Sequence, residues 1–266
     1  MNPCLFTELG IAYQQAYSGP YEVCTLRNGP ATMFIGRKDK MLSGFGRPAI
    51  CYGSSYMLTR DFTELYYQTP RVWYMDLLED GAITEITKFL VKQGRTPQVV
   101  YTQVIDLSVA EPELHRAMNK SYQNLANKYD VGDVTVDDLR AIHRQVTGRA
   151  TRNDDTWKLQ QQMVDAGQAF CLGGPMDNVK SAALFLHNGT WCYYGVAATI
   201  RDEVCEDGHA WCSHPVIWKG ILRAKQLGCR WMELGEQTFY GDEKQAGISK
   251  FKRGFGGKAH ARLEFR

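Results

Sequence analysis

The chain has 266 residues, with 31 Lys and Arg against 29 Asp and Glu, so its formal net charge at neutral pH is +2. So small a charge argues against a protein that coats nucleic acid, which needs a strongly basic surface. A content of 44% hydrophobic and 23% charged residues is typical of a folded protein with a sizeable core. At about 100–200 residues per domain, the length fits one large domain or two small ones.

The sequence contains no run of about 18 apolar residues, the length that a membrane span needs. The N-terminal residues lack the basic segment followed by an apolar one that is typical of a secretory signal peptide. The eight cysteines contain no C-x-x-C spacing, and they do not pair with the six histidines in the manner of a metal site. We therefore expect a cytoplasmic protein with scattered buried thiols, no bound metal, no membrane span and no DNA partner.

The first predicted element is a β-hairpin, because the strand-like residues 21–26 and 31–35 flank Asn28-Gly29, a pair that tolerates positive φ. Residues 83–91 have apolar side chains at helical spacing and predict a helix. A strand is predicted to follow at residues 98–105.

The second half repeats this order. Residues 182–186 and 191–196 flank Asn188-Gly189 and predict a second hairpin. A helix is predicted at 216–225, with Pro215 in its first turn, and a strand at 229–234. The repeat favours a duplicated α/β module, although such units are common enough to recur by chance.

Between the two hairpins, the sequence predicts several helices and a further strand. The helical patterns cover residues 111–129, a segment starting at 137 and residues 155–167, and a strand follows at 169–172. Together these elements predict a mixed α/β fold with a largely antiparallel sheet. Because no low-complexity linker separates the halves, we expect them to pack together.

Positive charge is concentrated at the C-terminus. Residues 244–266 contain seven Lys and Arg against one Glu, a net charge of +6, which leaves −4 for the rest of the chain. The glycine-rich stretch 247–258 permits close backbone approach. Within it, Lys250, Lys252 and Arg253 can face an anion such as a phosphate or the developing oxyanion of an acyl transfer. The alternative is a solvated basic helix.

Three separated segments carry a family resemblance. Residues 247–256 (GISKFKRGFG), preceded by the helix–Gly–strand unit at 215–235, resemble the C-terminal signature of the FemAB-like branch of the GNAT acyltransferase superfamily. The segments at 147–152 and 156–160 resemble motifs of the same branch, in the same order. The resemblance covers about residue 115 to the end. It implies a GNAT-like α/β fold with a complete C-terminal module at 111–266 and an abbreviated, degenerate GNAT-like half at 1–110.

The resemblance also implies a function. Family members of this kind move an acyl group from a thioester or an aminoacyl-tRNA to an amine, on peptidoglycan precursors or on amino sugars of cell-surface glycans. It places Lys252 where it would contact the acyl carbonyl or an acceptor phosphate. We predict an acyl-CoA co-substrate and, as acceptor, an amino sugar on a nucleotide or lipid carrier.

One segment departs from the common acetyl-CoA pattern, in which an Arg/Gln-x-x-Gly-x-Gly/Ala turn binds the pyrophosphate through backbone N–H groups. The corresponding residues 199–213 contain one Gly and four acids. CoA must therefore bind differently, or the donor is another molecule. An aminoacyl-tRNA donor is the alternative, although tRNA usually needs an extensive basic surface and only the tail offers one. A noncatalytic protein that binds an anion or a nucleotide sugar is the third hypothesis.

Acyl transfer to an amine needs a proton acceptor, because an ammonium group has no lone pair for attack. Glu236, which follows the strand predicted at 229–234, is the first candidate base. His214, at the start of the neighbouring helix, is the second, since its ordinary pKa suits proton removal. The alternatives are a surface acid and a helix cap, and water could also carry the proton.

Arg149, Arg152 and Trp157 form a second candidate site, since arginine forks bind phosphate or carboxylate and an aromatic face binds a sugar or base. The alternative is two surface arginines beside a core tryptophan. Tyr194 and Arg253 complete the predicted substrate contacts. Tyr194 is preferred over Tyr193, because adjacent strand residues point to opposite faces and only one of the two can line the cleft.

Three cysteines lie near histidines in the sequence and could be considered as nucleophiles. These are Cys192, Cys205 and Cys212, close to His209 and His214. Their spacing matches no recognised Cys–His order, so buried or inert thiols are the preferred interpretation.

Overall fold

A computed structural model of the chain describes residues 3–5, 7–29, 31–51, 56–78, 81–204, 208, 210–239 and 242–266. The chain divides into two compact units. One takes in the described residues up to Tyr101 together with His260–Arg266, and the other covers Thr102–Ala259. The last strand thus joins the N-terminal unit. The domain boundary between residues 110 and 111, and the interpretation of the first half as a degenerate copy, stay predictions.

The first unit contains three α-helices and a set of mostly short strands in its described part. In chain order its elements are α1 (Glu8–Ser18), β1 (Glu22–Asn28), β2 (Ala31–Lys38), β3 (Met41–Ser43), β4 (Ala49–Ile50), α2 (Tyr56–Gln68), β5 (Arg71–Val72), β6 (Tyr74–Asp76) and α3 (Glu85–Lys92), after a 3-10 turn at Pro3–Leu5. Strand β7 (Gln98–Asp106) runs from this unit into the second, and β13 (Lys258–Phe265) returns to it.

Strands β1, β2, β3 and β5 form one sheet of the first unit in that order, and β4, β6 and β13 are neighbours in another. The predicted hairpin is confirmed: β1 and β2 pair antiparallel up to Asn28 and Ala31, and Gly29 has a φ of +61°. The predicted helix corresponds to α3, which is capped by Thr84. The carboxylate of Asp76 accepts hydrogen bonds from the Thr84 backbone and side chain, at 2.8 and 2.9 Å.

The second unit contains the longer elements. They are the end of β7, then α4 (Glu111–Ala117), α5 (Lys120–Leu125), β8 (Gly132–Asp133), α6 (Val136–Thr147), α7 (Asp154–Asp165), β9 (Ala169–Gly174), β10 (Ser181–His187), β11 (Trp191–Thr199), α8 (His214–Gln226), β12 (Trp231–Gln237) and α9 (Glu243–Arg253).

The sheet of this unit has the strand order β7, β12, β11, β10, β9, β8. Strands β8, β9, β10 and β11 pair antiparallel with one another, in that order. Strand β11 pairs with β12 in parallel. Every residue of β9 is buried, which means that both faces of the sheet are covered there. Helix α8 packs on β9 and β10, with Gly220 against the ring of Phe185.

The predicted order of elements from residue 137 onward is confirmed, and two predicted boundaries shift. The predicted helical segment 111–129 divides into α4 and α5, because Met118 is extended and Asn119 donates its backbone N–H to the carbonyl of Gly254 at 2.8 Å. The strand predicted from Cys229 begins at Trp231, since the N–H of Cys229 still closes the last turn of α8 on Ala224.

Candidate active site

Strands β11 and β12 separate part of the way along their length. Their paired register runs from Trp191 opposite Trp231 to Tyr193 opposite Glu233, yet β11 continues to Thr199 and β12 to Gln237. A register shift between β10 and β11 falls at the same level. Such bulges bend a strand, so β11 turns away from β12. Beyond Tyr193 and Glu233, the main-chain groups of the two strands are therefore not paired with each other in the described register.

Lys252 reaches this split from α9. Its Nζ donates a hydrogen bond to the main-chain oxygen of Glu236, at 3.2 Å. Gly235 lies beside it with a φ of +93°, and a Cβ at this position would be 3.1 Å from the Lys252 Nζ and 3.8 Å from the hydroxyl oxygen of Tyr193. The absence of a side chain at Gly235 therefore lets the ammonium group approach the strand backbone.

A buried carboxylate stands on the same strand. The side chain of Glu233 is only 5% exposed and accepts a hydrogen bond from the Thr102 hydroxyl of β7, at 2.8 Å. Burial lowers the pKa of Lys252, and the charges of Glu236 and Glu233 offset part of that effect. Lys252 is thus a partly desolvated ammonium group that two carboxylates help to keep charged.

Three contacts fix α9 against the end of β12. The hydroxyl of Ser249 accepts the backbone N–H of Thr238 at 2.8 Å, and the guanidinium of Arg253 donates to the Gln237 side chain at 3.0 Å. Arg253 also lies over the ring of Phe239, at 5.4 Å. Asp242 caps the helix by accepting the N–H of Gln245. The position of Lys252 is therefore set by the fold and not by a mobile loop.

His214 is the first residue of α8 and lies among aromatic rings. Its ring centroid is 4.2 Å from that of Tyr122, 5.3 Å from that of Phe251 and 5.6 Å from that of Phe255. Burial, with a smaller contribution from Arg201, lowers the pKa of His214 to about 4. Neither ring nitrogen has a hydrogen-bond partner among the described residues. The imidazole is therefore neutral at pH 7 and retains a lone pair.

Glu236 and Tyr194, the other residues predicted for this region, lie in different surroundings. The Glu236 side chain is exposed, while its carbonyl receives Lys252. Tyr194 packs on the core cluster against Phe185, and burial raises its pKa. Tyr193, and not Tyr194, is the tyrosine beside Gly235. The two side chains point to opposite faces of β11 as expected, but the face beside Gly235 is the one that carries Tyr193.

The second candidate site is only partly assembled. Trp157 is buried, the Arg152 guanidinium lies 5.4 Å from the centroid of its ring, and Arg152 also contacts the His143 Nε2 at 3.3 Å. Arg149 is exposed in the segment between α6 and α7. Helix α7 packs on β9, which β10 and β11 separate from β12. The His143 ring of this cluster stands on α6, which packs on β10 and β11.

The cysteines do not form a nucleophilic site in the described part of the chain. Cys192 is fully buried, and burial raises its pKa, which keeps it a neutral thiol. Cys212 is half-buried, and Cys205 and His209 lie outside the described residues.

Within the described residues, no group of three or more His, Cys, Asp or Glu side chains is placed to hold a metal ion. No helix in the same part of the chain is both long and apolar enough to cross a membrane.

Sequence reasoning did not identify Thr102, Glu233 or Gly235, and it preferred Tyr194 to Tyr193. One signal was available: Glu233 is a carboxylate inside an otherwise apolar strand, and an acid there is rarely buried unless it is paired. The contact of Gly235 with Lys252 depends on the local shape of the strand, which no spacing in the sequence encodes.

Comparison with known proteins gives structural similarity only. Neither a scan against protein-family models nor a search of curated proteins gave a significant match. The structure is similar to that of FemX, with a TM-score of 0.68 and 11% identity over 98% of this chain and 91% of the other.

Two further solved structures share the arrangement. One is the C-terminal domain of a putative lysylphosphatidylglycerol synthetase from Agrobacterium fabrum, with a TM-score of 0.60 and 11% identity over 97% of this chain and 87% of the other. The second is L-PGS from Bacillus licheniformis, with a TM-score of 0.57 and 12% identity over 98% and 87%. The chain therefore has the mixed α/β fold of FemX, and the predicted resemblance to the FemAB-like branch is confirmed at the level of the fold alone.

Proposed function

We propose that the chain is an acyltransferase that moves an acyl group from an activated donor to an amine, at the split between β11 and β12. The observation that carries this proposal is the position of Lys252, whose ammonium group lies at the split beside a glycine and a buried carboxylate. A fixed positive charge in a partly desolvated place stabilises the negative charge that develops on an acyl oxygen during transfer.

In the reaction, the amine nitrogen forms a bond to the acyl carbon, and the bond from that carbon to the donor sulfur or oxygen breaks. The amine loses a proton, and the leaving thiolate or alkoxide gains one. Lys252 would stabilise the oxyanion. Glu236 is exposed and can accept the proton directly or through water, whereas burial disfavours the charged form of His214 and makes it the weaker acceptor. Tyr193 and Glu233 would position Lys252, and Arg253 would contact substrate.

Two donors are compatible with this site. An acyl-CoA thioester, with an amino sugar on a nucleotide or lipid carrier as acceptor, is the first candidate. An aminoacyl-tRNA is the second. A specific observation favours the second candidate: residues 199–213 lack the glycine turn that binds the pyrophosphate of CoA in the common acetyl-CoA pattern. The name of lysylphosphatidylglycerol synthetase, a protein with this fold, also refers to an aminoacyl group.

The test is an assay for amide formation. The purified protein is incubated with amino sugars and peptide amines, and with either acyl-CoA thioesters or aminoacyl-tRNA, and new amides are detected by mass spectrometry. We expect product with one donor class only. Loss of product after ribonuclease treatment assigns the tRNA donor, and persistence assigns the thioester. Ligand binding without any amide in either series would contradict the proposal and favour a noncatalytic binding protein.

A further inference from the structure

A cavity of about 410 Å³ lies within the N-terminal unit, apart from the residues proposed for acyl transfer. Its described lining combines three arginines with an apolar wall: Met41, Arg71, Val72, Trp73, Arg95 and Arg266. The volume is in the range of sites that hold small organic ligands, which is about 300–1,000 Å³. None of these lining residues is acidic.

The sheet of this unit builds one side of the cavity. Strands β3 and β5 are parallel neighbours, with Met41 opposite Arg71 and Leu42 opposite Val72. The backbone N–H of Trp73 donates to the carbonyl of Leu42 at 2.8 Å, which holds the tryptophan at the end of this pairing. The backbone pairing of these strands therefore fixes the positions of Val72 and Trp73, two consecutive residues that both line the cavity.

Two of the arginines are held in place by neighbours. The Nε of Arg95 donates to the hydroxyl of Tyr66 at 3.1 Å, and its Nη2 donates to the carbonyl of Pro70 at 2.5 Å. The Arg266 guanidinium lies 5.1 Å from the ring centroid of Trp73, and its Nε donates to the Glu264 carboxylate at 2.9 Å. A guanidinium carries five N–H donors, so both retain donors for a ligand.

Arg71 differs from the other two. Its side chain is exposed, and its guanidinium makes no hydrogen bond or ion pair with any residue in the described ranges. Three guanidinium groups therefore line one cavity, and the buried Glu264 provides the counter-charge of only one of them. The N–H donors that these guanidinium groups do not use within the protein can be satisfied by an anion in the cavity.

We propose that this cavity binds the phosphate or diphosphate group of a small molecule whose apolar part lies on Trp73, Val72 and Met41. Arginine forks bind tetrahedral oxyanions through paired N–H donors, and lysine, which lacks the fork, does not line the described cavity. The proposal does not depend on acyl transfer, because none of its residues belongs to the split between β11 and β12.

The test is isothermal titration calorimetry of the full chain with inorganic pyrophosphate, inorganic phosphate and succinate. Arg71→Gln is the main variant, since the Arg71 guanidinium makes no hydrogen bond or ion pair within the described residues and the strand backbone is unchanged by the substitution. We expect pyrophosphate to bind wild type, and Arg71→Gln to weaken that binding about tenfold, with Arg71→Lys between the two. Arg60→Gln, which alters an exposed arginine that does not line the cavity, should change the affinity by less than about twofold.

Three results would overturn the proposal: absence of pyrophosphate binding by wild type, equal weakening in Arg71→Gln and Arg60→Gln, or succinate binding as tight as that of pyrophosphate. Lys252→Met should bind pyrophosphate as wild type does. Its loss of acyl transfer with unchanged pyrophosphate binding would separate this cavity from the proposed catalytic site.

Discussion

His214 shows how single side chains define the candidate site. A histidine surrounded by Tyr122, Phe251 and Phe255 is separated from water, and the charged form of the ring is disfavoured there. The folded protein therefore holds a neutral imidazole, whose pKa is about 4 against an ordinary value of 6.5. In the unfolded chain the same ring takes up a proton as the pH falls through its ordinary pKa.

This difference predicts a pH dependence of stability. Between pH 6.5 and pH 4 the unfolded chain binds more protons at His214 than the folded protein does, so stability falls as the pH falls through that window. From pH 7 to pH 5 the loss is on the order of 1 kcal/mol, because His214 is only half-buried and solvent screens part of the effect. We expect His214→Phe to remove this part of the loss, as measured by urea unfolding at both pH values. An identical pH dependence in wild type and variant would contradict the burial of a neutral histidine.

At this scale the sequence was informative about residue types and less so about contacts. The concentration of charge in the tail indicated Lys250, Lys252 and Arg253 together, and the family resemblance singled out Lys252, whose Nζ donates to the main-chain oxygen of Glu236. The choice between Tyr193 and Tyr194 could not be made from alternation, because alternation separates the two faces without saying which one lies beside Gly235. That decision depends on the packing of the whole sheet.

At the scale of elements, the contact of α8 with β10 depends on a helical glycine. A Cβ at Gly220 would lie 2.3 Å from the nearest ring atom of Phe185, and this ring is fully buried in the core. Helix and strand can approach this closely only where no side chain stands between them. Gly247, in α9, is a matched comparison, since a Cβ there would meet nothing within 4 Å.

We therefore predict opposite effects of the same substitution at the two positions. Gly220→Ala forces Phe185 out of place and should lower the free energy of unfolding by about 1–3 kcal/mol. Gly247→Ala should leave it unchanged or raise it by up to about 1 kcal/mol, because alanine favours the helix. Chemical denaturation of both variants measures the difference. Similar stabilities of the two variants would be inconsistent with the close packing described for α8.

Elements with strong local signals were predictable, and those without were not. The Asn-Gly turns, and capped helices such as α3 and α6, have residues in the sequence that mark where the element begins or ends. Strands of two or three residues, such as β4 and β5, are too short to show a period, and α1 and α2 also escaped notice. The split between β11 and β12 arises from a bulge, which no pattern in the sequence indicated.

At the scale of the whole molecule, a nearly neutral chain keeps its positive charge in particular places. The tail of +6 supplies Lys252 and Arg253 to the proposed acyl-transfer site, and Arg266 to the cavity of the N-terminal unit. The fold is that of FemX at 11% identity, so the arrangement of elements is shared while most side chains differ. The chemistry must therefore be tested on this chain's own residues.

The most direct test of the central claim compares two lysines of α9 in the acyl-transfer assay. Lys252→Met removes the ammonium group at the split, whereas Lys250→Met removes an exposed one from the same helix. We predict that kcat falls by about 10²-fold or more in Lys252→Met and stays within about twofold of wild type in Lys250→Met, with both variants folded. Wild-type turnover by folded Lys252→Met, or equal losses in both variants, would contradict the account.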